Sequence, residues 1–350
     1  MHRPQHAPLA PGQIDSPHLC APLGNLQLES GEVILDYHQS YVTHGTLENS
    51  RGRVALLLTA IGAHHHRVDF LIGPGRAFDP GQWFVVVADA IGNGLSTSPS
   101  NSRRQPLAAF PRFSIRDMVT AQHRLLTQVL GVEHATVVVG ASMGGMQALQ
   151  WAVSHPTFFD AVVAMTPLAR ASAWTRAGNA AGRAALTADP AWDGVRFRQV
   201  PKRGLRAWSA IQHVLLNRTP RGLAADFPEP AHVQSWMDGL AQRAIHAGPD
   251  PHDWMYQSWA YDAHDLGTTP GFHGDTAAAL AAVQARTLLL TPPLDLYNPV
   301  EDAQLCARRI PRVRHLTIPS EQGHQSANTA SAADVAFVNR AVRQFLAEAG

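Results

Sequence analysis

Three side chains carry the clearest chemical potential in this sequence: Ser142, Asp295 and His324. Ser142 sits in Gly140-Ala141-Ser142-Met143-Gly144, between the β-branched run Thr136-Val137-Val138-Val139 and the helical stretch 143–153. A serine hydroxyl is a poor nucleophile unless a neighbouring base takes its proton, and that base works best when an acid orients it. The order serine, acid, histidine along the chain is one in which such a triad is built. A strand, then G-x-S-x-G, then a helix forms a sharp turn that lifts the hydroxyl out at the carboxyl end of a sheet. The flanking glycines serve that turn, because a Cβ there would strike the adjoining backbone. The chemistry implied is acyl transfer through a covalent serine ester.

Asp295 follows the apolar run 285–293, and His324 follows the run 313–319, just ahead of the last helical stretch. Each has a rival. Asp302 is close by but falls inside the helix expected to begin near Pro299, and His315 lies within a strand rather than after it. The oxyanion formed in acyl transfer needs two backbone N–H donors. Met143, directly after the serine, is one expected donor. Ile61, in the loop after the strand Val54-Ala55-Leu56-Leu57-Leu58, is the other.

The elements around these residues give the fold. Residues 25–45 alternate apolar and polar around a Ser-Gly turn and predict an antiparallel hairpin. The runs at 53–62, 82–94, 134–140, 158–167, 285–293 and 313–319 are continuously apolar, as strands buried on both faces are. Helical spacing at 114–132, with Ser114 as N-cap, and at 331–350 alternates with them. This predicts an α/β architecture with a mostly parallel, doubly wound sheet. Segment 168–284 has helical patches without a convincing strand and reads as a helical lid inserted into a core of 23–167 and 285–350. Residues 1–22, rich in Pro and His, read as a flexible lead.

Composition narrows the partners. With 28 Lys and Arg against 27 Asp and Glu, the net charge is +1 and there is no basic stripe, so nucleic acid and anionic membrane surfaces are poor candidates. No apolar run is long enough to span a bilayer, and no apolar leader precedes the first turn, so a cytoplasmic protein is expected. Cys20 and Cys306 are too few for a disulfide framework. The run His64-His65-His66 invites a metal reading. Three adjacent histidines cannot all face one ion, and the sequence places no acidic or cysteine partner beside them, so no metal and no cofactor is expected.

The stretches 28–62, 71–94, 113–132 and 140–156 together resemble the homoserine O-acetyltransferase family of α/β-hydrolases. The resemblance runs from about Leu26 to the C-terminus. It implies the α/β-hydrolase fold, a helical lid through which a homodimer forms, and a Ser142–His324–Asp295 triad, in agreement with the residue-level reading. It also sets Arg183, in Asn179-Ala180-Ala181-Gly182-Arg183, near the family's substrate-gripping lid arginine, with a solvated or ion-paired lid residue as the alternative. The acid that follows the catalytic histidine in homoserine enzymes is replaced by neutral Gln325, a substrate-facing position. Thr59-Ala60-Ile61-Gly62-Ala63 stands where they carry His-Ala-Leu-Thr-Gly. These departures favour a hydrolase acting on a small acyl substrate. The alternative is an O-acyltransferase with acyl-CoA as co-substrate. A non-catalytic binding protein of the same fold is disfavoured because all three triad positions are filled.

Overall fold

A computed structural model of the chain describes residues 9, 10, 12–328 and 331–348. The strands β1 (Leu19–Gln27), β2 (Val33–His44), β3 (Val54–Leu58) and β4 (Phe84–Ala88) come first. Helix α1 (Ile115–Arg124) leads to β5 (Ala135–Ala141), α2 (Met143–Ser154) and β6 (Phe159–Met165). Six helices follow with no strand between them: α3 (Ala173–Thr187), α4 (Lys202–Ser209), α5 (Pro220–Asp226), α6 (His232–Ala247), α7 (Pro251–Ala263) and α8 (Thr276–Ala281). The chain then returns to β7 (Arg286–Thr291), α9 (Val300–Arg309), β8 (Val313–Thr317) and α10 (Ala332–Ala347).

The eight strands form one sheet in the order β1-β2-β4-β3-β5-β6-β7-β8. Strands β3 to β8 run parallel, and β1 and β2 are antiparallel additions at one edge. Every residue of β3 and β4 is buried, which is why these strands read as unbroken apolar runs. One apolar layer packs beneath α1 and α2, the other against α10. The helical insertion carries its own small core around Leu186, Leu205, Trp208 and Trp254. Among the described residues, no helix is long and apolar enough to cross a membrane.

One expectation is corrected here. The flexible lead expected over 1–22 ends earlier: β1 begins at Leu19, which pairs with Tyr41 of β2. Ile14 donates its N–H to Asp69 (2.8 Å), and His18 reaches Ser40 (2.6 Å). Pro22 and Gly24 hid the strand: the register shifts between Pro22 and Gly24 and again before Leu26, so the alternation breaks. An edge strand tolerates both a proline and a bulge. Residues 1–8 and 11 of that lead lie outside the described residues.

Candidate active site

The elbow forms where β5 meets α2. Ser142 is the helix N-cap residue, with φ 56° and ψ −122°, a left-handed conformation rarely adopted by a residue with a Cβ. The strain is held by packing. Ser142 N–H donates to Met165 O on β6 (2.9 Å), and Met146 N–H donates to Ser142 O (3.0 Å). The glycines are sterically required. A Cβ on Gly144 would come 2.5 Å from Leu58 O, and one on Gly140 would run into the Gly144 backbone.

The acid and base come from the loops after β7 and β8, as expected. His324 Nδ1 and Asp295 Oδ2 are 2.7 Å apart, and both side chains are buried. The other carboxylate oxygen, Asp295 Oδ1, accepts from the N–H groups of Tyr297 (2.8 Å) and Asn298 (2.9 Å). Two backbone donors therefore fix the carboxylate, and the carboxylate fixes the imidazole tautomer with Nδ1 as donor. That leaves Nε2 as the basic atom. Nε2 is buried and has no hydrogen-bond partner among the described residues. The rivals are placed elsewhere. Asp302 is in the first turn of α9, and His315 bonds Thr291 within the sheet (2.7 Å).

The two residues expected to supply oxyanion donors follow β5 and β3. Met143 is the first residue of α2, where amides lack intrahelical partners. Ile61 lies in the turn after β3, and the next amide, Gly62 N–H, is bound by Gln257 Oε1 of α7 (2.7 Å). Gln257 Nε2 in turn donates to Ile91 O (2.9 Å), so one α7 side chain pins the loop after β3 to the loop after β4.

Sequence reasoning missed Gln257, Tyr261 and Asn298. Tyr261, fully buried on α7, has its hydroxyl 3.4 Å from Ser142 Oγ. It donates to Asn298 Oδ1 (2.8 Å), and Asn298 Nδ2 donates to Thr166 O (2.7 Å). Thr166 follows β6 with φ 45°, a strained value for a β-branched residue. Tyr297 stacks on Tyr261 at 5.6 Å and meets His324 edge-on at 5.0 Å. Burial pushes the Tyr261 phenol well above its ordinary range, so it is protonated at any working pH. None of these residues has a local sequence signature.

Of the two readings of Arg183, the structure displays the ion pair: its guanidinium meets Asp262 at 2.7 Å and donates to Ser258 Oγ (2.9 Å). Asp262 accepts from Asn179, and Asn179 accepts from Tyr297. Gln325 is partly buried beside the base and accepts from Asn328 Nδ2 (2.9 Å).

The histidine run needs a correction as well. Acidic partners do exist: Asp69, three residues along the chain, meets His66 Nδ1 at 2.7 Å, and tertiary structure supplies a second. Buried Asp89, just after β4, accepts from the N–H of His65 (2.9 Å), from Asn93 (3.0 Å) and from Ser40 (2.6 Å), with His65 Nδ1 at 3.1 Å. Burial works against its charge, but the bonds from His18, His65 and Ser40 prevail and hold the carboxyl well below the usual range. Ligand atoms of His18, His65 and Asp89 lie within 4.8 Å of one another. Hydrogen bonds account for the arrangement, which anchors the oxyanion loop to β2 and β4. A cavity of about 1190 Å³ lies at the amino ends of the strands, lined by Arg53, Thr136 and Arg286 and not by Ser142.

Comparison with known proteins follows the same lines. Residues 56–229 match the α/β hydrolase fold. The chain is 30% identical over 311 residues to an ethyl acetate hydrolase of Pseudomonas veronii, covering 86% of this chain and 87% of the relative. The chain belongs to the α/β-hydrolase fold family. This α/β hydrolase is also 32% identical over 340 residues to a homoserine O-acetyltransferase of Chlorobaculum tepidum, covering 91% and 92% of the two chains. An acetylester hydrolase from Corynebacterium glutamicum superposes with a TM-score of 0.87 at 26% identity, covering 95% of this chain and 96% of that one. Both relatives by sequence are named for reactions of acyl esters, and this chain is an enzyme of that kind.

Proposed function

We propose that this α/β hydrolase cleaves esters of small acids through an acyl-Ser142 intermediate. The observation that carries the reading is the oriented imidazole: His324 is fixed at Nδ1 by Asp295, and its buried Nε2 is open as a base. Ser142 Oγ attacks the ester carbonyl carbon and its proton passes to His324 Nε2. The amides of Met143 and Ile61 receive the oxyanion. The protonated base then gives the proton to the departing alcohol. Water attacks the acyl-enzyme by the same route in reverse, releasing the acid. Asp295 stays ionised and holds the imidazolium.

Neutral Gln325 favours water over an amino-alcohol acceptor. Where relatives transfer an acetyl group to homoserine, an acid beside the base would pair with the acceptor's ammonium; a neutral amide forgoes a charge-assisted bond of about 1.5–3 kcal/mol. The relatives named homoserine O-acetyltransferase keep a second reading alive, O-acyl transfer from acyl-CoA to a small alcohol. The deciding experiment follows p-nitrophenyl acetate and acetyl-CoA consumption, each with and without homoserine, serine and simple alcohols. Rapid ester turnover indifferent to the acceptor supports hydrolysis. CoA release that depends on an acceptor would overturn it in favour of transfer. In both readings a fluorophosphonate labels the wild type and leaves Ser142→Ala unlabelled.

A further inference from the structure

The contact between Tyr261 and Ser142 has a direction. The phenol has one hydrogen, and it is committed to Asn298 Oδ1 at 2.8 Å. The Asn298 amide cannot be turned around, because its Nδ2 donates to Thr166 O at 2.7 Å. Toward Ser142, then, the Tyr261 oxygen presents only lone pairs. In the free enzyme Ser142 O–H is the donor across the 3.4 Å contact, and His324 Nε2 has no partner among the described residues. The resting nucleophile points its proton at the lid rather than at the base.

Acylation changes this balance. Once Ser142 Oγ carries the acyl group it has no hydrogen, and the fully buried Tyr261 oxygen loses its donor. A buried acceptor without a donor is unfavourable, and the group that enters next is judged by whether it restores one. Water has two O–H bonds. One can point at His324 Nε2, which must take the proton, and the other at Tyr261, with the oxygen lone pair left for the acyl carbon. An alcohol has a single O–H, which the base requires, so it leaves Tyr261 unsatisfied.

Building on the acyl-Ser142 reading above, we propose that Tyr261 selects water over alcohols in the deacylation step, by accepting the second O–H of the attacking water. The bookkeeping of the step is simple. The water oxygen bonds to the acyl carbon, one proton moves to His324 Nε2, the bond from carbon to Ser142 Oγ breaks, and His324 returns the proton to Oγ as the carboxylic acid leaves. Tyr261 keeps its own hydrogen on Asn298 throughout. It touches the reacting atoms and exchanges no proton with them.

The test is the partition of the acyl-enzyme. Purified protein is given p-nitrophenyl acetate with methanol or 1-propanol, and the ratio of new ester to free acid is measured by chromatography. Because the ratio compares two fates of one intermediate, it is indifferent to the amount of folded enzyme and to the acylation rate. Tyr261→Phe keeps the ring stacked on Tyr297 and removes only the acceptor. The ratio is expected to rise about tenfold, the size of one ordinary hydrogen bond, with fluorophosphonate labelling still at Ser142. Tyr256→Phe, which removes a hydroxyl from the same helix that bonds only Phe110 O, should leave the ratio unchanged. Asn298→Ala gives a second route should Tyr261→Phe fold poorly: freed of its acceptor, the phenol can turn its hydrogen toward Ser142, and the ratio should rise again. A ratio unmoved in the Tyr261 and Asn298 variants, or moved equally by Tyr256→Phe, overturns the proposal. Absence of any acyl-enzyme or label in the wild type would instead overturn the underlying reading.

Discussion

At the scale of single residues, the triad is an exercise in fixing one tautomer. Asp295 binds His324 Nδ1 with one oxygen and two backbone amides with the other, so the carboxylate neither rotates nor trades its partner. Asp295→Asn keeps the shape but offers an N–H toward Nδ1, which favours the wrong tautomer. We expect kcat to fall about 10³–10⁴-fold with labelling by a fluorophosphonate slowed in parallel. A variant within tenfold of wild type would mean another acid orients the base. The places of Ser142, Asp295 and His324 were readable in the sequence because each follows a strand end that the apolar runs disclose. Tyr261, Asn298 and Gln257 were not. Helix α7 is buried over most of its length, so no face distinguishes residues that touch the site from residues that fill the core. Asp89 was hidden for a related reason: it meets His65 only because β3 and β4 are neighbours in the sheet.

At the scale of elements, the elbow depends on close backbone approach. The strand–turn–helix order was legible because glycines at 140 and 144 interrupt an apolar run in the pattern the turn demands. The same logic gives a stability test. Gly144→Ala places a methyl 2.5 Å from Leu58 O, a backbone atom in the middle of the sheet that cannot move aside as a side chain could. We expect a loss of about 1–3 kcal/mol in urea unfolding and a larger loss of activity, since β3 carries the oxyanion loop. Unchanged unfolding would show that the strand end yields. Helix α1 illustrates a boundary read correctly from chemistry: Ser114 and Asp117 form a reciprocal capping box. Strand β1 illustrates the opposite case, where a proline and a bulge at a sheet edge erase the period on which strand reading depends.

At the scale of the whole molecule, buried His264 and half-buried His155 and His213 are held as neutral groups. Burial lowers His155, His213 and His264 from 6.5 to about 4, with stacked His123 adding to the effect at His155. Between these values the unfolded chain binds protons that the folded chain refuses. The folded state is therefore favoured in full above pH 6.5 and loses ground as pH falls toward 4. Urea midpoints at pH 7.5, 5.5 and 4.5 should decline in that order, and a flat series would mean that these rings are solvated. The run of helices between β6 and β7, though not its contacts, was visible as a long interruption of the strand–helix rhythm. Those contacts bear on how such enzymes can be recombined. Gln257 binds the loop after β3 and Tyr261 meets Ser142, and both ride on one helix of the insertion. A chimera that borrows its insertion from a relative would therefore inherit or forfeit two working parts of the core along with the new pocket. Splicing only outside α7, so that Pro251–Ala263 travels with the host sheet, would let the pocket be exchanged while the chemistry stays at home.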